Sequence, residues 1–276
     1  RYGVFHSISA FCNAGFDLLA DVQYGGSLSY YALNPVLNVT IMALIIIGGL
    51  GFFVWGDIRH HRRFSQLSVY TRMVLVITGI LIFGGAALFA VLEWNNPATI
   101  GTFDAGQKLL CALFQSVTTR TAGFCTFSQA QMTDASKAVS DVLMFVGGSS
   151  GSTAGGLKTV TLGVTVLSAI AAARGRSRVS VYRHTIPAEQ VSQAFALLAL
   201  MFSLSFMGAI YISAANGCDI TDAVFETVSA IATVGLTAGL TSSLSAASHV
   251  ILIIFMFFGR VGIMTISVGF LTASHA

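Results

Sequence analysis

The sequence predicts an all-α integral membrane protein assembled from repeated span–loop–span units. Three observations carry that expectation: a scarcity of charge, five runs long enough to cross a bilayer, and three copies of one short polar motif. Of the 276 residues only 9% are charged and 55% are hydrophobic, whereas a soluble domain carries about 25% charged residues. Mean hydropathy is +0.80. A water-soluble fold of this size cannot bury that much apolar surface. Soluble enzymes, nucleic-acid binders and disordered tails are thereby excluded; the lipid membrane is the expected partner, and nucleic acid is not.

The spans are runs almost free of Asp, Glu, Lys and Arg, near residues 35–55, 73–92, 138–173, 191–213 and 246–271. About 20 apolar residues suffice to cross a bilayer. The third run is interrupted by Lys158 and a Gly/Ser-rich stretch, and the fifth contains Arg260. Arg59, Arg62, Arg63 and Arg72 lie between the first two spans, and Arg174, Arg176, Arg178 and Arg183 between the third and fourth. Positive residues accumulate on the cytoplasmic side, so both segments are expected there. The opposite segments hold Asp17, Asp21, Glu93, Asp104, Asp134, Asp141, Asp219, Asp222 and Glu226, with Lys108 and Lys137. Such an acidic outer face either concentrates cations or simply wets loops and caps helices. Cys12, Cys111, Cys125 and Cys218 form no CxxC pair and are expected to be small packing residues.

The three motif copies are Phe5 to Phe16, Phe114 to Phe124 and Phe225 to Leu236. Each runs from Phe through a Ser/Thr-rich helix end to Asn/Thr-x-Gly. Each is followed by a span with a further glycine, giving the pairs Gly15/Gly48, Gly123/Gly147 and Gly235/Gly259. The repeating unit is therefore span, short re-entrant helix, extended loop, span. Non-helical backbone is tolerated at membrane depth only where it lines a cavity or is buried in protein. A short helix ending in Thr-Val-Gly has the form of a carbonyl-lined ion filter. Glycine frees the backbone to aim its carbonyls inward, and Thr and Asn side chains can brace it. Carbonyls around Asn13, Ala14 and Gly15, Thr121, Ala122 and Gly123, and Ala232, Thr233, Val234 and Gly235 are the candidate ion ligands.

The interruption of the third span is the next signal. Gly147, Gly148, Gly151, Gly155 and Gly156, interleaved with Ser149, Ser150, Ser152 and Thr153, are too costly for a helix interior. A break at membrane depth marks ion or substrate sites in transporters. The run is not a phosphate-binding loop, because Leu157 stands where GxxxxGK[ST] requires lysine. Arg260 sits in an apolar run at a cost of about 2.5–3.5 kcal/mol near the bilayer centre, so it must face a water-filled cavity or a partner. Lys158 either helps hold the loop or snorkels to the interface. Arg120, inside the second copy, should point away from a cation pore and brace the loop.

Taken together, Cys12-Asn-Ala-Gly15, Arg120-Thr-Ala-Gly123, Ala232-Thr-Val-Gly235, the 147–158 run and Phe258-Gly-Arg-Val-Gly262 resemble the Ktr/Trk/HKT superfamily of potassium transporters, and most closely the bacterial Ktr membrane subunit. The resemblance covers essentially the whole chain. It implies four span–pore-loop–span units around a central ion pore. Residues 1–56 are then the end of the second unit (its pore loop and second span), 72–173 the third with its interrupted second span, and 190–272 the fourth. The first unit and the first span of the second are expected to precede Arg1. It also implies a gate below the filter, formed by the 147–158 loop with Lys158 and Arg260. The expected activity is inward K+ transport across the plasma membrane, without enzymatic chemistry or a cofactor. Na+ stays open as the transported ion, because the first filter loop is not among these residues. The resemblance further implies a homodimer on a cytosolic nucleotide-binding regulatory ring. Two other readings stay open: a secondary transporter of a small solute coupled to Na+ or H+, which needs mid-span carboxylates, and a non-transporting sensor.

Overall fold

The computed structural model describes residues 1–19, 27–61, 63–176, 178–182 and 184–261. Asp21, Arg62, Arg183, Gly262 and the rest of the fifth expected span lie outside the described residues.

Ten α-helices are described. They are α1 (Tyr2–Phe11), α2 (Pro35–Leu50), α3 (Phe52–His60), α4 (Val69–Glu93), α5 (Ala105–Thr118), α6 (Asp134–Phe145), α7 (Thr159–Ala173), α8 (Ala188–Asn216), α9 (Ile220–Ile231) and α10 (Ala246–Val261). A small antiparallel hairpin, β1 (Ser180–Val181) and β2 (His184–Thr185), interrupts the basic segment between α7 and α8. The Arg72 guanidinium lies 4.7 Å from the Tyr182 ring and ties this hairpin to the start of α4.

The order repeats. A short helix (α1, α5 or α9) leads into the non-helical end of one motif copy, and a second helix follows. Before α5 and α9 stand the long spans α4 and α8, of 25 and 29 residues. At 1.5 Å per residue they reach roughly 38 and 44 Å, ample for a ~30 Å hydrocarbon core. Both are long and apolar enough to cross a membrane. Phe83, Val91, Met207 and Phe257 stand exposed on α4, α8 and α10, the faces that a bilayer would cover.

Local chemistry starts each element. Ser68 caps α4 by accepting from Thr71 N, and Asn34 caps α2 ahead of Pro35. Asp104 and Gln107 form a capping box on α5, and Asp219 caps α9. The short helices pack tightly: α5 lies on α4, α9 on α8, α10 and α6, and α1 on α2. Phe114, Phe124 and Phe225 are fully buried at these contacts. Cys111 is buried, Cys12 is exposed, and all four cysteines are unpaired thiols.

Two sequence expectations are corrected. The first span is not continuous: α2 and α3 meet at a 91° bend. The turn is at Gly51, with φ +82° and ψ 157°, a region essentially restricted to glycine. Second, Asp134 and Asp141 lie on α6, not in an outer loop. Of the two readings open for the acids of these segments, the structural one fits Glu93 and Asp222. Glu93 is fully buried and accepts from Asn96 Nδ2 (2.7 Å), Thr99 Oγ1 (2.6 Å), Thr133 N (2.9 Å) and Thr133 Oγ1 (2.8 Å). Asp222 pairs with Lys137 at 2.6 Å. A carboxylate so saturated ties segments together and is not free to collect ions.

Candidate cation pathway

The three motif copies share one backbone conformation. Each alternates a left-handed non-glycine residue with a left-handed glycine: Asn13 (φ 50°) and Gly15 (69°), Thr121 (64°) and Gly123 (84°), Thr233 (55°) and Gly235 (89°). Positive φ at Asn or Thr is uncommon and costs free energy. Its recurrence at one position in three segments means that the surrounding structure enforces it.

The glycines lie side by side in the order Gly15, Gly123, Gly235. A Cβ on Gly15 would stand 2.5 Å from Ala122 O and 3.0 Å from the Gly123 Cα, and one on Gly123 would overlap Val234 O. Gly15 and Gly123 thus each press on the carbonyl that precedes the next glycine. A Cβ on Gly235 would meet only the Gly123 Cα, at 4.0 Å.

Bracing comes from residues that the sequence reading did not single out. Ser9 Oγ donates to Phe16 O (2.7 Å), Thr118 Oγ1 to Phe124 O (2.5 Å) and Ser229 Oγ to Leu236 O (2.6 Å). Each ties the pore helix to the carbonyl just beyond the filter glycine. Backbone bonds repeat as well, with Ala14 N to Ser9 O, Ala122 N to Thr118 O and Val234 N to Ser229 O. The expected bracing by Thr121 and Thr233 is absent, since neither hydroxyl has a hydrogen-bond partner. Asn13 does reach across: its Nδ2 lies 3.5 Å from Arg120 O, and its Oδ1 accepts from Thr153 Oγ1 at 3.4 Å. Arg120 is buried and directed away from the filter, its Nη2 3.4 Å from both Thr78 Oγ1 and Gly147 O.

Small residues let the following spans approach. A Cβ on Gly48 would overlap Phe11 O, and one on Gly259 would overlap Ile231 O, the corresponding carbonyls at the ends of α1 and α9. Gly147 instead abuts Gly155, within the interrupted span itself.

That interruption is a closed excursion between α6 and α7. Its two ends pair as a parallel bridge, Val146 with Leu157, with Gly147 N to Leu157 O at 2.9 Å and Leu157 N to Phe145 O at 3.2 Å. The bend at Gly51 supplies its main anchor. Helix termination leaves carbonyls without intrahelical partners, and Gly49 O and Gly48 O accept from Ser149 N (3.0 Å) and Thr153 N (3.4 Å). In return Phe52 N donates to Gly151 O at 3.2 Å, and Tyr70 Oη donates to Ser150 O at 3.0 Å. Thr153 Oγ1 donates to Phe11 O at 3.1 Å, at the end of the first pore helix. Two cations hold the far side: Arg260 Nη1 donates to Thr153 O (2.6 Å) and Lys158 Nζ to Ala154 O (2.8 Å).

A cleft of about 690 Å³ runs beside the filter segments. Ala14, Phe16, Thr233, Val234 and Gly235 line it, with Arg260 and Glu226. Among the described residues no group of three or more His, Cys, Asp or Glu is placed to hold a metal ion.

Residues 1–275 match the family of TrkH cation transport proteins. The chain belongs to the TrkH family. It is 39% identical to the potassium/sodium uptake protein NtpJ of Enterococcus hirae, over 96% of this chain and 58% of that protein. It is 37% identical to the Ktr system potassium uptake protein B of Vibrio alginolyticus (96% of this chain, 58% of that one), and 38% identical to that of Bacillus subtilis (95% and 58%). The crystal structure of the potassium transporter TrkH from Vibrio parahaemolyticus shares the fold, with a TM-score of 0.76 at 19% identity, over 97% of this chain and 57% of that one. The chain thus spans somewhat over half the length of these TrkH-family relatives.

Proposed function

We propose that this TrkH-family chain carries the filter and gate of a pathway that moves K+ inward across the plasma membrane, with Na+ as the second candidate ion. The observation that supports this best is the filter backbone: three segments with one alternation of φ and three adjacent glycines. Carbonyls so arranged replace the hydration shell of a monovalent cation. The ions would bind around Asn13, Ala14 and Gly15, Thr121, Ala122 and Gly123, and Ala232, Thr233, Val234 and Gly235. The electrochemical gradient supplies the drive, about 2.3 kcal/mol per charge per 100 mV.

The 147–158 loop is the proposed gate. Its backbone is held on one side by the carbonyls of Gly48 and Gly49 and on the other by Arg260 and Lys158. Arg260 also places a positive charge on the lining of the cleft, where it opposes cation passage while the loop is in place. Residues 1–56, 72–173 and 190–272 are proposed as the second, third and fourth units of a multi-pass protein. A homodimer on a cytosolic nucleotide-binding ring is proposed as its assembly, with the basic segments around Arg59 and Arg174 as the docking face.

The test is ion uptake from the whole reading frame that encodes the chain, in a potassium-uptake-deficient bacterium. Growth at low K+ and rubidium and sodium tracer flux are recorded, with Gly123→Ser as the comparison. Rescue that the substitution weakens, with little sodium carried, supports a K+ filter. Sodium flux without rescue moves the assignment to Na+. No flux of either ion from protein present in the membrane refutes the reading.

A further inference from the structure

One turn before each bracing hydroxyl, the three pore helices carry His6, Gln115 and Glu226. All three side chains are buried, and all three hold the chain downstream of the filter. His6 Nε2 accepts from Leu18 N at 3.3 Å. Gln115 exchanges two bonds with Gln129, at 2.5 and 3.2 Å. Glu226 accepts from Thr237 Oγ1 (2.5 Å), Ala238 N (3.1 Å) and Thr241 Oγ1 (2.8 Å). Leu18 and Ala238 occupy the same place, three residues beyond Gly15 and Gly235. One structural position is thus filled by an imidazole, an amide and a carboxylate doing the same work.

His6 differs in that its bond depends on a single protonation state. Nδ1 lies 2.7 Å from Tyr2 O, and a carbonyl only accepts, so Nδ1 carries the proton. Nε2 faces a backbone N–H, which only donates, so Nε2 must present its lone pair. Only the neutral Nδ1–H tautomer makes both bonds. A second proton on Nε2 would set two donors against each other and release Leu18. The surroundings offer the added charge little compensation. On its own helix the neighbours are Arg1 and Tyr2, and α2, packed along α1, has no ionisable residue. The segment after the filter contributes Asp17, whose Oδ1 is bonded to Leu19 N at 3.1 Å. The second motif copy contributes the Phe124 ring at 6.5 Å, with Cys125 beside it. Among the described residues no carboxylate oxygen lies within ion-pair distance of His6.

We propose that His6 is a positioning residue for the first filter segment, holding its outer end only while the imidazole is neutral, so that external acid weakens transport. This inference rests on the transport reading. The whole-frame protein is assayed for rubidium uptake between external pH 7.5 and 5.5, with internal pH held constant, alongside His6→Gln and His6→Ala. Glutamine has an oxygen to accept from Leu18 N and an amide to donate to Tyr2 O at any pH. Wild-type uptake is expected to fall by more than about twofold between pH 7.5 and 5.5, because Nε2 must stay unprotonated to accept from Leu18 N. His6→Gln should keep uptake with a pH dependence under about twofold, and His6→Ala should be low and flat. Parallel falls in wild type and His6→Gln overturn the proposal. Amide exchange at Leu18 in the purified protein gives a flux-independent arm. Protection corrected for intrinsic rates should drop at pH 5.5 in wild type and not in His6→Gln; equal protection in wild type at both pH values also overturns it. A wild type with no uptake at pH 7.5 sinks the transport reading instead, and the exchange arm then decides the latch alone.

Discussion

Gly51→Ala tests how the bend in the first span governs the 147–158 loop. At φ +82° and ψ 157° any residue with a Cβ is strained by about 1–3 kcal/mol. The added methyl would also stand 2.9 Å from Ser150 O and 3.0 Å from Gly151 C, both loop backbone. The strain is relieved if α2 straightens. Straightening withdraws the carbonyls of Gly48 and Gly49 from Ser149 N and Thr153 N, and Phe52 N from Gly151 O. These three bonds, each worth about 0.5–1.5 kcal/mol, resist the change, so the contest is close. A shift of about 1–3 kcal/mol lowers the ratio of held to released loop by roughly 5- to 150-fold. The expected outcome is raised basal rubidium uptake and faster thiol labelling of Ser152→Cys in a background without native cysteines. Gly56→Ala is the control, because a Cβ there meets nothing within 4 Å. Unchanged uptake and labelling in a normally stable Gly51→Ala protein would refute the reasoning.

Other consequences can be checked in the same preparations. Ser229→Ala removes the 2.6 Å bond to Leu236 O, worth about 1 kcal/mol; the rubidium-to-sodium flux ratio should fall, and Ser229→Thr should restore it. Glu93→Gln puts an amide among four donors; with charged hydrogen bonds worth about 1.5–3 kcal/mol, the melting temperature should drop measurably without a change in ion preference.

What the sequence disclosed and what it hid have physical reasons. The shared backbone of the three motif copies was legible because positive φ selects glycine, and three glycines recurred in one context. The break at residues 147–156 was legible because five glycines cannot share a helix turn or two cheaply. Arg260 stood out through the cost of a charge in an apolar run. The bend at Gly51 was not legible, because one glycine costs a helix only about 1 kcal/mol and the groups that stabilise the bend come from Ser149 to Thr153, some hundred residues later. The bracing hydroxyls were hidden by a one-residue contraction of the second copy. Thr118 stands five residues before its glycine, whereas Ser9 and Ser229 stand six before theirs, so a strict alignment puts Val117 in their column. Glu93 looked like a solvated acid because its donors are gathered from Asn96, Thr99 and Thr133, which only the fold brings together.

The bridge between Val146 and Leu157 has a mechanical consequence. With Thr159 N also bonded to Gly148 O at 3.1 Å, α6 and α7 are joined to each other at the neck of the excursion, like a road whose detour begins and ends at one junction. Residues 149–156 can swing without dragging either helix. On the proposed function, opening then leaves the lipid-facing outline of the protein unchanged, and bilayer thickness should have little purchase on it. Control must reach the loop through the few groups that grip it from within: two carbonyls and one N–H at the bend, the Phe11 carbonyl, one tyrosine hydroxyl and two cations.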